Sequence, residues 1–129
     1  MTILRHSKNS RKQGDVGLGE AIAYGTINGY TVMIPLTDNQ SYDLCYDINN
    51  KICKISVKTT YCKPKNHYQV NLRVFGGNKS GQKVKKFDKN EIDYLFILCD
   101  DGSKYFIPSS DINSTTSLVL YSPWDKYKI

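Results

Sequence analysis

The sequence contains few of the residues that build zinc sites or disulfide frameworks. Its four cysteines are spaced by 8, 9 and 37 residues, so no CxxC pair occurs, and there are only two histidines. This pattern argues against a structural zinc site, which needs four closely placed sulfur or nitrogen ligands. Cys45 and Cys53 fall within predicted strands, which is typical of small buried residues in the reducing interior of a cell.

Long apolar segments are also missing. Residues 1–10 lack the apolar core of a signal peptide, and no stretch approaches the roughly 20 apolar residues of a membrane span. We therefore expect an intracellular, cytoplasmic protein with no membrane partner.

The bulk composition is that of a globular protein. With 129 residues, 40% of them hydrophobic, the chain is long enough to bury a core as a single domain, residues 1–129. Its formal net charge of +6 and its pI near 9.1 favour an anionic partner.

One long helix is predicted near the N-terminus, after a basic arm at residues 1–10. Ser10 is expected to cap it, with Gln13 completing a capping box, and the helix should run to about Asn28 and stop at Gly29. Val16, Ala23 and Ile27 are predicted to form its apolar stripe.

Glu20 falls in the middle of that predicted stripe. A carboxylate that faces a core is costly unless something pairs with it. The pattern therefore predicts a partner or a functional role for Glu20.

Residues 42–59 are predicted to form a β-hairpin around an Asn-Asn turn, in which paired positions sum to 99. Asp43 then faces Ser56, with Lys58 diagonally beside it on the same face. A hard cation prefers carboxylate oxygens and accepts a backbone carbonyl, here that of Val57. The alternative is that Asp43 and Lys58 form a cross-strand ion pair on a solvated face, but such a pair does not need Glu20.

The remaining pattern predicts an α/β (α+β) fold with a central mixed β-sheet of five or six strands flanked by the N-terminal helix. Besides the hairpin, strands are expected at Tyr30–Leu36, His67–Phe75, Asp93–Asp100, Lys104–Ile107 and Ser117–Tyr121, with a helical turn at residues 108–112. Residues 76–86 are expected to form a flexible basic loop.

Basic residues along the chain suit a surface that follows a polyanionic backbone, although any single one is more typical of a solubilising charge. The predicted contacts are Arg5, Arg11, Lys12, Lys63, Lys65, Arg73, Lys79, Lys83, Lys85 and Lys86. Asp47 and His67 are interpreted as surface residues, and Asp93 as an ion pair or cap instead of a metal ligand.

The order and spacing of several motifs resemble the PD-(D/E)xK nucleases, most closely the small homing endonucleases encoded in group I introns. The resemblance spans about residues 11–113. It is carried by Gly14–Ala21, Tyr30–Pro35, Tyr42–Leu44, Ile55–Thr59, Asn71–Arg73, Glu91–Tyr94 and Tyr105–Pro108.

The resemblance implies roles for four residues. Asp43 would be a direct metal ligand, Glu20 would help to hold the metal, and Lys58 would assist the attacking water. Ser56 stands where the signature has an acid and this subgroup usually has glutamine, so it departs from the pattern.

The fold implied is a restriction-endonuclease-like core. The function implied is a Mg²⁺-dependent, site-specific endonuclease of double-stranded DNA, with Mn²⁺ as an alternative cofactor and a homo-oligomer, dimer or tetramer, as the assembly. An intron-encoded enzyme could also be organellar. A resolvase of four-way DNA junctions, a catalytically inert DNA-binding module of the same fold and a structural protein with a basic surface are the alternatives.

Overall fold

The computed structural model describes residues 2–4, 9–78 and 81–129, and for residues 75–78 and 81–83 it describes the backbone only. Arg5 and Lys79, predicted to contact DNA, lie outside the described residues.

The N-terminal helix, α1, spans Ser10–Ile27. Its cap is Asn9, whose side-chain oxygen accepts a hydrogen bond from the Arg11 N–H at 2.9 Å. The predicted cap at Ser10 was therefore wrong by one residue, because Ser10 already has helical backbone geometry. Gly29 follows the helix with a φ of 78°, a left-handed conformation that suits glycine.

The buried face of α1 consists of Gly17, Ala21 and Gly25. The predicted stripe was wrong: Val16 is 37% exposed and Ile27 is 83% exposed. Small residues occupy the line of closest approach to the sheet, and Leu18, Ile22 and Tyr24 pack against the core beside it, partly buried.

Two glycines make this close approach feasible. A Cβ atom added at Gly17 would lie 2.6 Å from a methyl carbon of Thr59, and one added at Gly25 would lie 2.5 Å from the Tyr46 ring. The Tyr46 hydroxyl donates a hydrogen bond to the Ala21 carbonyl from below. Glycine therefore sets the distance between α1 and the sheet.

In the described residues nine strands follow α1, with short 3-10 turns at Pro64–Asn66, Ser109–Asp111 and Ser122–Tyr127. The strands are β1 Thr31–Met33, β2 Leu44–Ile48, β3 Lys51–Thr60, β4 Gln69–Asn71, β5 Val74–Asn78, β6 Gly81–Lys85, β7 Tyr94–Cys99, β8 Lys104–Pro108 and β9 Ser117–Val119. Five of them form a central mixed sheet in the order β1-β2-β3-β7-β8, in which β3 and β7 are parallel. The prediction of an N-terminal helix against a central mixed sheet is confirmed.

The β2–β3 hairpin has the predicted register. Asn49 and Asn50 have φ angles of 51° and 67°, as the two-residue turn requires, and Ile48 pairs with Lys51. The paired positions therefore sum to 99 along the whole hairpin.

Two strand predictions needed correction. The expected strand at residues 67–75 is interrupted, since β4 pairs with β9 and β5 starts a separate ribbon. Residues 76–86, expected as a flexible loop, belong largely to that β5–β6 ribbon, in which Val74 pairs with Lys85 and Gly76 with Lys83. Glycine content was given too much weight there, because glycine weakens a strand without forbidding it.

Both faces of the central sheet are covered. On the α1 side the core includes Leu44, Ile55 and Phe96, and on the other side Leu95 and Ile97 pack beneath the β4–β9 pair. Polar groups on β3 can therefore reach solvent only where a neighbouring strand has ended. No helix in the described ranges has the length and apolar character needed to cross a membrane.

Candidate active site

Asp43 lies immediately before β2, at the point where the ladder with β3 ends. Its Oδ2 atom accepts a hydrogen bond from the Val57 N–H at 2.7 Å, and its own N–H donates to the Ile55 carbonyl at 2.9 Å. The last β2–β3 pair joins Leu44 with Ile55, so no residue of β2 pairs with Val57. The Asp43 carboxylate thus accepts the hydrogen bond from Val57 that a backbone carbonyl would accept if β2 were longer.

The same geometry places a second oxygen at this edge. The N–H and C=O groups of one strand residue point to the same side of the strand. Because the Val57 N–H points to Asp43, the Val57 carbonyl is directed to the same gap.

Ser56 and Lys58 alternate with Val57 and therefore point to the other face of β3. Ser56 is only 7% exposed, and the two residues line a small cavity together with Lys86 and Glu91. The β2–β3 ladder ends at Leu44 and Ile55, and the Asp43 N–H bonds to Ile55, so the predicted pairing of Asp43 with Ser56 lies outside the paired positions.

Asp43 and Lys58 influence each other's ionisation. Removal from solvent in the gap raises the pKa of Asp43 above its ordinary value of 3.8, while the Val57 N–H and the Lys58 ammonium oppose the rise. Burial likewise lowers the pKa of Lys58 below 10.5, and Asp43 opposes that change. Both groups are therefore shifted towards their neutral forms.

An open cavity of about 690 Å³ extends from Asp43 between α1 and the loop that joins β1 to β2. One wall is formed by α1 and the other by the loop. The residues around it are Arg11, Gly14, Asp15, Leu18, Pro35, Leu36, Thr37, Asp38, Gln40, Tyr42, Asp43 and Val57.

The acidic residue of α1 that lines this cavity is Asp15, not Glu20. The Glu20 carboxylate lies 3.4 Å from the Lys104 ammonium and lines a different cavity, beside Tyr24 and Ile27. Five residues of helix separate Asp15 from Glu20, a rotation of about 140°. The structure therefore does not bring Glu20 to Asp43.

A sequence signal for Asp15 was available. Gly17, Ala21 and Gly25 recur every four residues, which is the spacing of one helix face. Taking these small residues as the buried face places Asp15 and Glu20 on its opposite flanks.

Asp38 was also missed. It lies on the β1–β2 loop, lines the same cavity, and its negative charge contributes to the raised pKa of Asp43. Nothing in its sequence context distinguishes it from an ordinary loop aspartate.

The oxygen atoms at this edge fit a hard divalent cation. Asp43 and the Val57 carbonyl face one gap, and the carboxylates of Asp15 and Asp38 line the same cavity. Among residues 2–4, 9–78 and 81–129, no three His, Cys, Asp or Glu side chains form a metal-binding group. Mg²⁺ is commonly held by one or two carboxylates, with water and substrate phosphate completing its shell.

The predicted DNA contacts fall into several groups. Arg11 lines the Asp43 cavity, while Lys12 is exposed on α1. Lys63 stands over the Tyr68 ring at 4.9 Å, and Lys65 is exposed in the turn that follows β3.

The remaining basic residues lie around the β5–β6 ribbon. Arg73 is exposed just before it. Lys85 forms an ion pair with Glu91, and Lys86 lines the small cavity beside Lys58. The side chain of Lys83 is outside the described part of the structure.

Asp93 has a structural role, in line with its interpretation as a cap. Its Oδ2 atom accepts a hydrogen bond from the Lys54 N–H at 2.8 Å, and its own N–H donates to the Lys54 carbonyl. It thereby fixes the start of β7 against β3.

A protein of known structure shares this architecture. A solved structure described as a bacterial homing endonuclease, I-Ssp6803I, matches with a TM-score of 0.74 and 24% sequence identity, over 90% of this chain and 80% of that chain. This likeness establishes a common fold. Among curated proteins, no significant match is found. The sequence profile of the PD-(D/E)XK endonucleases matches residues 8–125. The chain therefore belongs to the PD-(D/E)XK endonuclease family.

Proposed function

We propose that this protein is a Mg²⁺-dependent, site-specific endonuclease of double-stranded DNA, of the homing type. The observation that carries the proposal is the Asp43 carboxylate, held by the Val57 N–H in the gap at the end of β2 with its ionisation coupled to Lys58. We infer that the scissile phosphate would bind beside this carboxylate, and membership of an endonuclease family supports that inference.

Asp43 and the Val57 carbonyl would hold the cation. When bound, a divalent cation supplies Lewis acidity at a phosphoryl oxygen and a template for in-line attack. The hydrogen bond from Val57 fixes the Asp43 carboxylate before substrate arrives, so that little reorganisation is needed.

Lys58 would orient the attacking water or offset charge on the transition state. Its lowered pKa brings the neutral amine closer to the working range of a general base. Ser56 has a neutral hydroxyl where the signature has a carboxylate, so it is a shorter and poorer metal ligand. We assign it to the wall of the site beside Lys58 and not to direct metal binding.

On α1, Asp15 would take the part that the resemblance gives to a helix acid. It lines the cavity that contains Asp43, whereas Glu20 is occupied by Lys104. Arg11, one helical turn before Asp15, would contact a phosphate at the same cavity.

The basic residues around the ribbon would extend this contact along the duplex. A two-stranded β-ribbon has dimensions that fit the major groove of B-DNA. The β5–β6 ribbon, with Lys85 at its base and Arg73 preceding it, would supply groove and backbone contacts.

One site of this size cuts one strand. A double-strand break would therefore need at least a symmetric dimer, and we propose a homo-dimer or tetramer. The enzyme would act inside the cell, where its DNA target lies.

The decisive experiment is cleavage of plasmid DNA that carries the intronless form of the sequence flanking the gene. The purified protein is assayed with Mg²⁺, with Mn²⁺ and with EDTA. We expect a defined cut with either metal and none with EDTA, and unchanged DNA in all three conditions would reject the proposal.

The shortness of Ser56 favours one competing function, a DNA-binding module without catalysis. Titration with Mg²⁺, followed by thermal melting, separates the two. An enzyme is stabilised by a cation bound at Asp43, while an inert module keeps salt-dependent DNA affinity without that shift. A four-way junction included as a substrate tests the resolvase alternative.

A further inference from the structure

Leu36 is the most exposed large apolar residue in the described structure. It is fully exposed, at 102%, and the neighbouring Ile34 is 48% exposed. With Pro35 between them, they form an apolar tip on the loop that joins β1 to β2. A single exposed leucine is ordinary on a protein surface, so the position of this one matters.

The loop that carries Leu36 is held by side-chain hydrogen bonds in the residues that follow the tip. The Gln40 side-chain amide donates to the Thr37 carbonyl at 2.7 Å and accepts from the Asn39 N–H at 3.2 Å. Below the tip, Met33 pairs with Cys45 in the sheet. The chain therefore presents Leu36 outward instead of folding it back.

The apolar tip stands beside the proposed catalytic carboxylate. Pro35 and Leu36 line the same cavity as Asp43, and Arg11 lines it from α1. When one phosphate of a DNA strand reaches Asp43, the neighbouring nucleotides of that DNA strand must lie along this loop. Arg11 suits the phosphates of that strand, but an aliphatic side chain can gain only from its sugars and base faces.

We propose that Leu36 is a DNA wedge, which packs against the bases of the step that flanks the scissile phosphate and partly unstacks it. Leucine is one of the residues that proteins insert between base steps in this way. The inference rests on the proposed nuclease function and goes beyond it, because it names a residue that positions the strand without touching the cation.

The wedge predicts a loss of cleavage when the side chain is shortened. Leu36→Ala should reduce the single-turnover cleavage rate about tenfold, because most of the apolar contact is removed. Leu36→Met keeps a long apolar side chain and should retain nearly the wild-type rate. Ile27→Ala is the matched control, since Ile27 is also a highly exposed aliphatic residue, at 83%, and lies outside this cavity.

The test uses the duplex cut in the plasmid experiment, with 2-aminopurine placed beside the scissile phosphate and Ca²⁺ replacing Mg²⁺. Unstacking raises 2-aminopurine fluorescence. We expect wild type, Leu36→Met and Ile27→Ala to raise it on binding and Leu36→Ala to fail. Sedimentation of the free proteins should give the same mass for all four.

Each other outcome decides against the wedge. If wild type cuts and Leu36→Ala matches it in rate and fluorescence, the wedge is wrong and the nuclease proposal stands. If Leu36→Ala lowers the assembled mass, the tip belongs to an interface between copies of the chain. If wild type cuts no DNA, both proposals fall together.

Discussion

Two carboxylate–lysine pairs in this protein have opposite characters. Glu20 and Lys104 lie 3.4 Å apart with side chains 40% and 33% exposed, and each partly neutralises the other. The Asp43 carboxylate instead accepts a hydrogen bond from a backbone N–H, and its coupling to Lys58 does not overcome the effect of burial on the pKa of either group. The first pair is satisfied as it stands. The second leaves charge that a cation and a phosphate can satisfy, which is what distinguishes a binding site from a surface ion pair.

The strongest test of this contrast is to neutralise one member of each pair. Asp43→Asn and Lys58→Met should each lower the cleavage rate by at least about 100-fold, because each removes a group that we propose to act at the reacting phosphate. Glu20→Gln and Lys104→Met should remain within about twofold of wild type, since exposed ion pairs contribute little. The cleavage rates of the four variants are measured on one plasmid. A large loss of cleavage rate in Glu20→Gln would mean that Glu20 acts at the site after all.

A finer test compares the two acids of α1. Asp15→Asn should reduce activity about 10–100-fold, the usual effect of a residue that supports a metal site. The loss of activity should become smaller at high Mg²⁺ concentration, because the variant would need more Mg²⁺ than wild type for half-maximal cleavage. Glu20→Gln is the control on the same helix, and equal metal titrations for the two variants would contradict the assignment of Asp15.

Stability should move in the opposite direction from activity at Asp43. Because the folded-state pKa of Asp43 is raised, its ionised form is less stable in the folded protein than in the unfolded chain. This penalty is present above the folded-state pKa and disappears below the ordinary value of 3.8. Asp43→Asn, whose amide oxygen can still accept the Val57 hydrogen bond, should therefore melt at a higher temperature than wild type at neutral pH. The difference should vanish as the pH falls towards 3.8, and thermal melting at the two pH values checks it.

The smallest effect is expected at the surface pair. Glu20→Gln should change the free energy of unfolding by no more than about 0.5 kcal/mol, and less at high salt. Urea unfolding at low and high salt measures this. A change of several kcal/mol would mean that Glu20 holds α1 in place.

The hairpin at the centre of the site was predictable because its determinants are local. Asn-Asn fixes the turn, and the turn fixes the register of β2 against β3 as far as the pair Leu44 and Ile55, next to Asp43. The unbroken apolar run of residues 94–99 predicted a strand of the central sheet, but its parallel pairing with β3 was not predicted.

The orientation of α1 was not recovered, because the prediction looked for large apolar residues on its buried side. Where a helix lies very close to a sheet, the smallest residues mark the contact, as Gly17 and Gly25 do. Because the buried face of α1 was assigned wrongly, Glu20 was predicted to lie near Asp43 and Asp15 was overlooked. Asp38 and Leu36 could not be found at all, because the conformation of the β1–β2 loop depends on contacts that no short motif encodes.

The β5–β6 ribbon has a consequence for how such a protein diversifies. Its two strands form their own sheet, separate from the five strands that hold Asp43 and Lys58. Substitutions along the ribbon therefore leave the hydrogen-bond ladder of the central sheet intact. If the ribbon contacts DNA as proposed, exchange of its residues beyond Val74, which lines the cavity beside Lys58, would change those contacts while Asp43 and Lys58 keep their places.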